Sequence, residues 1–437
     1  MRARVSIFAI TALAVLVRLL FLSYSIPEHY DYFFPKRQEL LDRFVQSDEP
    51  YLHPFGWEAS SIACALVCKD RGFSDPFGAQ SGPTAWIAPG VVVPFAAAFA
   101  VFGCFSFESI FAVFMVSLLC SALICLTVYW VTKVLFGSVD RALMAALLFA
   151  VLPYDAWIFR VTGHLDFNFV TLGFAMLLAA SVLYYRRPGV PKAAILGAVA
   201  GASILLFPGF ILCALGAWLV TALSKRTSKQ GLDLCVVCFV AGALVAPYVL
   251  WQRGWLGIWV PVKSNAGFEL YLGNAPEAGG ILTERVLAKY HPSQSASEFR
   301  KYRDLGEVRY VRSKFREMLA NFSTAKFLEN TMRRMLSFYF LYDTKSWDRP
   351  GARLWAKRVL WFVPGCLLWV GAVVGFLRKT PAWWLVVAFS LAYSAPFLIA
   401  GVMDRYRYPL APAICVLAAG LFPQIGKGVD GRSGAKS

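Results

Sequence analysis

Long apolar runs separated by short basic loops dominate the chain. A helix that crosses a bilayer needs about 20 mostly apolar residues. Runs of this kind begin near residues 5, 87, 108, 141, 167, 192, 209, 230, 357, 382 and 406. The pattern predicts an all-α polytopic membrane protein. The short connections carry Lys133 and Arg141, then Arg186, Arg187 and Lys192, then Lys225, Arg226 and Lys229, then Arg378 and Lys379. The tail adds Lys427, Arg432 and Lys436. Lys and Arg in short loops stay in the cytoplasm, and Arg2 and Arg4 join them there. The first helix then ends outside near Ile26, and the helix at 108–136 must end inside at Lys133. Those sides match only if 87–103, which contains Pro89 and Pro94, lies at the membrane surface or re-enters it shallowly. About ten transmembrane helices remain, or eleven if 87–103 spans.

On this topology residues 1–252 form an N-terminal transmembrane module whose first external loop, 27–107, holds juxtamembrane helices. A short outer connection covers 154–166. Residues 253–355 form an external (periplasmic) segment of mixed structure, and 356–437 hold the C-terminal transmembrane helices and a cytoplasmic tail. The N-terminal run is like a signal peptide, but Arg18 interrupts it and no small-x-small cleavage site follows, so an uncleaved first span is expected. Gly197 and Gly201, four apart in the run from 192, predict a close helix–helix approach.

Composition narrows the class. The chain is 58% hydrophobic and 16% charged, against about 45–50% and about 25% in soluble domains. That excludes a soluble globular, disordered or collagen-like chain. The net charge, 43 − 26 = +17, raises the question of nucleic acid. Its location answers it: the basic residues fall in the cytoplasmic loops and in the external segment, at Arg300, Lys301, Arg303, Arg309, Arg312, Lys314, Arg316, Arg333 and Arg334. No nucleic-acid partner is expected. The external cluster suits a solvated helix face, lipid headgroups or an anionic substrate. Among the ten cysteines, Cys120, Cys125, Cys213, Cys235, Cys238, Cys366 and Cys415 lie in apolar runs and read as small hydrophobes. Cys64 and Cys68, four apart on one helix, read the same way, and no disulfide scaffold is predicted.

In a membrane protein, polar groups within or beside the spans are the functional candidates. Glu58 lies in the first turn of an amphipathic helix over 57–68, where a carboxylate suits the helix dipole and also a general base. Asp166 lies where the outer connection enters the fourth span, with His164 beside it and Asp155 a few residues earlier; helix capping is the alternative for the acids. In Asp404-Arg405-Tyr406-Arg407-Tyr408-Pro409, two arginines stand at the outer end of the last span, against the positive-inside pattern. Their planar forks suit a phosphate, and snorkelling to outer headgroups is the alternative. Asn265, Glu269 and Asn274, in a turn-rich stretch, suit sugar hydroxyls. His291 reads as structural. No Walker-type, HExxH or Gly-x-Gly-x-x-Gly motif is present, so ATP-driven transport and dinucleotide chemistry lack support.

Glu58, then Gly82-Pro83-Thr84-Ala85-Trp86-Ile87-Ala88-Pro89 leading to Phe102-Gly103, then Asp166, then 253–355 follow one another in an order that resembles the integral-membrane glycosyltransferases of the GT-C fold. The likeness is to the bacterial, glycosyltransferase family 39-like group that includes aminoarabinose transferases and protein O-mannosyltransferases. Two departures stand out. Trp57-Glu58-Ala59 replaces the usual Asp-Glu or Asp-x-Asp, and the usual Glu-Lys pair before the second surface helix is replaced around Thr84.

The resemblance implies a GT-C-like enzyme of the cell envelope in a bacterial inner (plasma) membrane, with its site facing the periplasm. It implies transfer of a hexosyl or pentosyl group, with inversion, from a polyprenyl-phosphate-linked donor to a lipid, glycan or protein acceptor, with membrane lipids as further partners. Glu58 is expected to deprotonate the acceptor and Asp166 to orient it. Arg405 and Arg407 are expected to stabilise the leaving phosphate, while His164, Asp155, Asn265, Glu269 and Asn274 contact substrate. A divalent metal stays open as a cofactor, and no metal ligand is named. The other reading is a transporter or flippase of lipid-linked glycans, which the few interior charges and the absence of an evident inverted repeat disfavour.

Overall fold

The computed structural model describes residues 2–33, 50, 55–78, 80–152, 159, 165–225, 229–342, 350–378 and 381–422. His164 and Asp155 lie outside the described residues. Those described are almost wholly helical, and their strand-like pairing is limited to two isolated bridges, Ser74 with Pro83 and Ile281 with Val402. The helices are α1 (Arg2–Phe33), α2 (Trp57–Cys68), α3 (Pro89–Phe102), α4 (Phe107–Phe136), α5 (Val139–Val151), α6 (Asp166–Arg186), α7 (Val190–Ile204), α8 (Phe210–Lys225) and α9 (Gln230–Leu256). The segment after them holds α10 (Ala266–Asn274), α11 (Glu284–Tyr290), α12 (Ala296–Leu305), α13 (Glu307–Ala320) and α14 (Thr324–Tyr339). The chain closes with α15 (Ala352–Leu377), α16 (Pro381–Ile399), a 3-10 turn over Asp404–Leu410 and α17 (Ala411–Leu421).

Every apolar run read from the sequence is helical. Among the described residues, five stretches are long and apolar enough to cross a membrane: Val5–Ser23 within α1, and all of α4, α6, α9 and α15. α7, α8 and the described part of α16 are shorter apolar helices, and so is α3, which begins with Pro89 and carries Pro94 inside. The chain is thus a multi-pass, all-helical membrane protein.

Local chemistry explains the packing. Gly197 and Gly201 let α7 lie directly on α9: a Cβ at either would come within 2.8 or 3.0 Å of the carbonyl oxygens of Val237 and Ala241. Arg18, the charge that interrupts the first apolar run, is fully buried. Its guanidinium donates to the carbonyls of Ala14, Ala150 and Phe149 at 3.1–3.2 Å and lies 4.6 Å from the Phe149 ring. A cation at the last carbonyls of α5 satisfies groups that the helix leaves unpaired. Cys235 and Cys238 lie exposed on α9 rather than packed.

Two hydrophobic cores form. The large one joins the apolar helices. The smaller one is aromatic, built from Phe268, Tyr271, Phe299, Tyr302 and Tyr310 of the 253–355 segment together with Phe77 and Trp86 of the first loop. The first loop and the later segment therefore share one core. Glu307 locks that junction. Buried at the start of α13, it accepts from the Thr84 hydroxyl, from the Ala85 amide at 2.7 Å, from Ser264 Oγ at 2.5 Å and from the Tyr302 hydroxyl at 2.9 Å. Burial pushes its carboxyl up, and these four donors pull it back. The first loop holds a further tie. Cys68, at the end of α2, is disulfide-bonded to Cys104, just past the end of α3. Reading Cys68 as a packed hydrophobe missed this, because its partner lies 36 residues away across a turn.

Candidate functional site

Glu58 enters the site on the first turn of α2, where the chain turns through two left-handed residues, Gly56 at φ 73° and Trp57 at φ 45°. For a non-glycine residue such as Trp57 that region is sterically costly, and such outliers cluster at functional positions. Ala59, Ile62, Ala63 and Cys64 are buried around the helix, so it is seated while Glu58 stays half-buried. Asp166 is the first residue of α6, and its Oδ1 is buried without a hydrogen-bond partner among the described residues.

Arg405, in the turn before α17, stands between these two helix starts. Its guanidinium lies 4.7 Å from the Trp57 ring and 5.6 Å from the Phe167 ring, the neighbours of Glu58 and Asp166. Stacking on aromatic faces holds an arginine while leaving its edge for an anion. Burial would lower this guanidinium, but Tyr406, Asp166, Glu58 and Asp404 together outweigh burial and keep it charged.

The fourth side comes from the segment after α9. Asn265 is buried, and its Nδ2 donates to Glu269 Oε1 at 3.0 Å. Burial raises the Glu269 carboxyl, and Lys263 and Arg405 oppose that rise. Lys263, missed in the sequence, faces the same group: burial lowers its ammonium, while Glu269, Glu58 and Asp166 raise it. Its place is fixed by its neighbour Ser264, whose amide donates to Ala85 O at 3.0 Å. Lys263 therefore lies beside Thr84-Ala85. A single lysine between two apolar residues and a serine gave no local signal. Three acids, Glu58, Asp166 and Glu269, and two cations, Lys263 and Arg405, thus lie within electrostatic reach of one another.

The remaining candidates lie elsewhere. Arg407, two residues from Arg405, points to the opposite side of the turn and lies buried 5.1 Å over Trp361. It lines a small cavity with Ser337, Phe338, Val402 and Asp404. Asn274 spends its side chain on Leu270 O, at 2.8 Å, and on Arg334 Nη2, at 2.7 Å. As far as the described residues form it, the acid cluster does not suit a divalent metal. Two of its five charged groups are cations that compete for the carboxylates. Among the described residues, the one trio of potential ligands within 4.8 Å of one another is Cys64, Cys68 and Cys104, two of which are joined in the disulfide.

His291 bounds the site from behind, in a box of Phe77, Trp86 and Phe268 rings 5.4–5.8 Å away. Burial, reinforced by Arg405, pushes its imidazole down from 6.5 to about 3. The unfolded chain therefore binds a proton below about pH 6.5 that the folded chain refuses until about pH 3. Stability contributed by neutral His291 is complete above pH 6.5 and falls as pH drops, by about 1.4 kcal/mol per unit. His291→Gln, which keeps an acceptor for the Ser293 amide (3.1 Å), should flatten the loss of thermal stability between pH 7 and pH 5. An unchanged slope in a melting series would remove His291 as its origin.

The helices are arranged in the GT-C fold, which is known from membrane glycosyltransferases. No family model matches the sequence, and no curated protein matches it. The fold is similar to that of the archaeal oligosaccharyltransferase AglB from Archaeoglobus fulgidus, solved in complex with an inhibitory peptide and a dolichol-phosphate. The TM-score is 0.55 at 14% identity, over 94% of this chain and 49% of that one. A second structure of the Archaeoglobus fulgidus enzyme, with Zn and sulfate, matches at a TM-score of 0.51 and 15% identity, over 93% and 48% of the two chains. The chain spans about half the length of that protein. ArnT from Cupriavidus metallidurans matches at a TM-score of 0.38 and 13% identity, over 89% and 78% of the chains, and no residue correspondence is drawn from it.

Proposed function

We propose that this protein transfers a sugar from a polyprenyl-phosphate-linked donor to an acceptor hydroxyl at the outer face of a bacterial inner membrane. The observation that carries the reading is the convergence of Glu58 and Asp166 on Arg405, from three separate parts of the chain. The Glu58 carboxylate takes the acceptor proton as the acceptor oxygen attacks the anomeric carbon. The bond from that carbon to the phosphate oxygen breaks, and the polyprenyl phosphate leaves with the electron pair, so the configuration inverts. Arg405 and Lys263 face the charge that grows on the leaving phosphate, where fixed donors act most strongly. Asp166 and Glu269, with Asn265, orient the two substrates. Arg407 acts behind Arg405, holding the turn against α15. An outer position agrees with the Cys68–Cys104 disulfide, a bond that persists in oxidising compartments. It agrees also with Trp251, Trp255 and Trp259 exposed at the end of α9, as in an aromatic belt.

The test is a transfer assay. The purified full chain in nanodiscs is given a panel of radiolabelled undecaprenyl-phosphate sugars with lipid, glycan and peptide acceptors, with and without EDTA. Label moving to an acceptor with release of undecaprenyl phosphate, undiminished by EDTA, is the expected result. Movement of intact donor between leaflets without release would replace the reading with a flippase.

A further inference from the structure

Helix α14 carries three distinct faces. Asn330, Arg334, Ser337 and Phe338 are buried against the bundle. Arg334 donates to Gly280 O, Leu398 O, Gly273 O and Asn274 Oδ1 at 2.7–3.3 Å. A polar flank follows, with Arg333 paired to Glu329 at 2.6 Å and Lys326 donating to Pro276 O at 3.0 Å. The third face is apolar and uncovered among the described residues: Leu328, Met332 and Leu336, spaced one turn apart, are 42–58% exposed. Leu319 and Phe322, at the end of α13 and in the turn that leads into α14, extend it.

The depth of α14 shows what covers this face. Its last residue, Tyr339, packs its carbonyl against Gly365 of α15, where there is no room for a Cβ. The Tyr339 ring lies 5.3 Å from Trp369 of the same helix. Phe338 stacks on Phe397 of α16 at 5.8 Å. Arg358 is the last cation on α15 before its apolar run, 359–377. Gly365 lies about 10 Å of helix beyond that cation, and Trp369 about 16 Å beyond it, at 1.5 Å per residue. The end of α14 is therefore below the level at which α15 becomes membrane-like. An interfacial helix buries its apolar face about 5–10 Å into the boundary between headgroups and acyl chains.

We propose that α14 docks its Leu328–Met332–Leu336 face into the outer-leaflet interface of the bilayer, so that the 253–355 segment rests on the lipid surface. The docked helix bears on the site through Arg334, which holds the Gly273 and Asn274 end of α10, the helix that carries Glu269. The lipid thereby supports one wall of the acid cluster. The proposal does not depend on sugar transfer, and its test measures depth alone.

The test places one nitroxide at a time on the full chain in phosphatidylethanolamine–phosphatidylglycerol nanodiscs. The background carries Cys235→Ser, Cys238→Ser and Cys366→Ser, which removes the accessible free thiols. Labels are attached through Leu328→Cys, Met332→Cys and Leu336→Cys, with Lys326→Cys on the polar flank as the reference. The ratio of collisions with oxygen to collisions with a water-soluble nickel chelate should be several-fold higher at 328, 332 and 336 than at 326. A water-like ratio at all three positions overturns the proposal. So does spin–spin broadening between molecules, which would assign the face to a second copy of the chain. Three independent positions keep the test decisive if one variant fails to fold.

Discussion

Glu58→Gln is expected to lower sugar transfer by about 10²–10⁴-fold, the contribution of a positioned general base, while protein abundance stays unchanged. Gln keeps the shape of the side chain but cannot accept the acceptor's proton. The fold does not rest on this carboxylate: α2 is held by the buried Ala59, Ile62, Ala63 and Cys64 and by the disulfide at Cys68. The measurement is single-turnover transfer from the best donor of the panel, paired with a melting curve. Turnover near that of the unaltered protein would end the base assignment and move it to Asp166, whose Oδ1 is buried without a partner among the described residues.

Arg405→Gln should cost about 10²–10³-fold in turnover, the scale seen when one donor aimed at developing charge is removed. Arg405→Lys should recover only part of it. Lysine keeps the charge but loses the planar fork and the stack on Trp57 and Phe167 at 4.7 and 5.6 Å. The comparison that separates chemistry from folding is Arg407→Gln. Arg407 is fully buried over Trp361, so its loss should depress the melting temperature first and turnover second. Arg405→Gln should show the reverse order. If both variants lose stability in parallel and turnover only in proportion, Arg405 has no separate role at the leaving group.

The candidate acids were legible in the sequence because carboxylates near the ends of apolar runs are scarce. Glu58 and Asp166 stood out as carboxylates beside apolar runs and Glu269 as a polar residue in a turn-rich stretch, and in the structure all three act electrostatically on Lys263. Arg405 and Arg407 could not be told apart by pattern. Two residues apart on a 3-10 turn, they diverge, one toward α2 and α6, the other toward α15. Asn274 had the residue type that suits a sugar hydroxyl, but its position gave it to Arg334.

Hydropathy and helix periodicity are properties of neighbouring residues, so the amino-acid sequence by itself determined the helical runs, the 57–68 helix and the close approach at Gly197 and Gly201. Contacts between distant residues depend on the path of the chain, which no local pattern carries. Only the tertiary structure decided that Cys68 meets Cys104, that Glu307 binds Thr84 and Ser264, and that Lys263 joins the acids. It also resolved the +17 charge, which began as a composition. Arg18 closes a helix inside the bundle, and Lys263 and Arg405 stand within electrostatic reach of carboxylates, because burying a charge requires a partner that folding alone can bring to it.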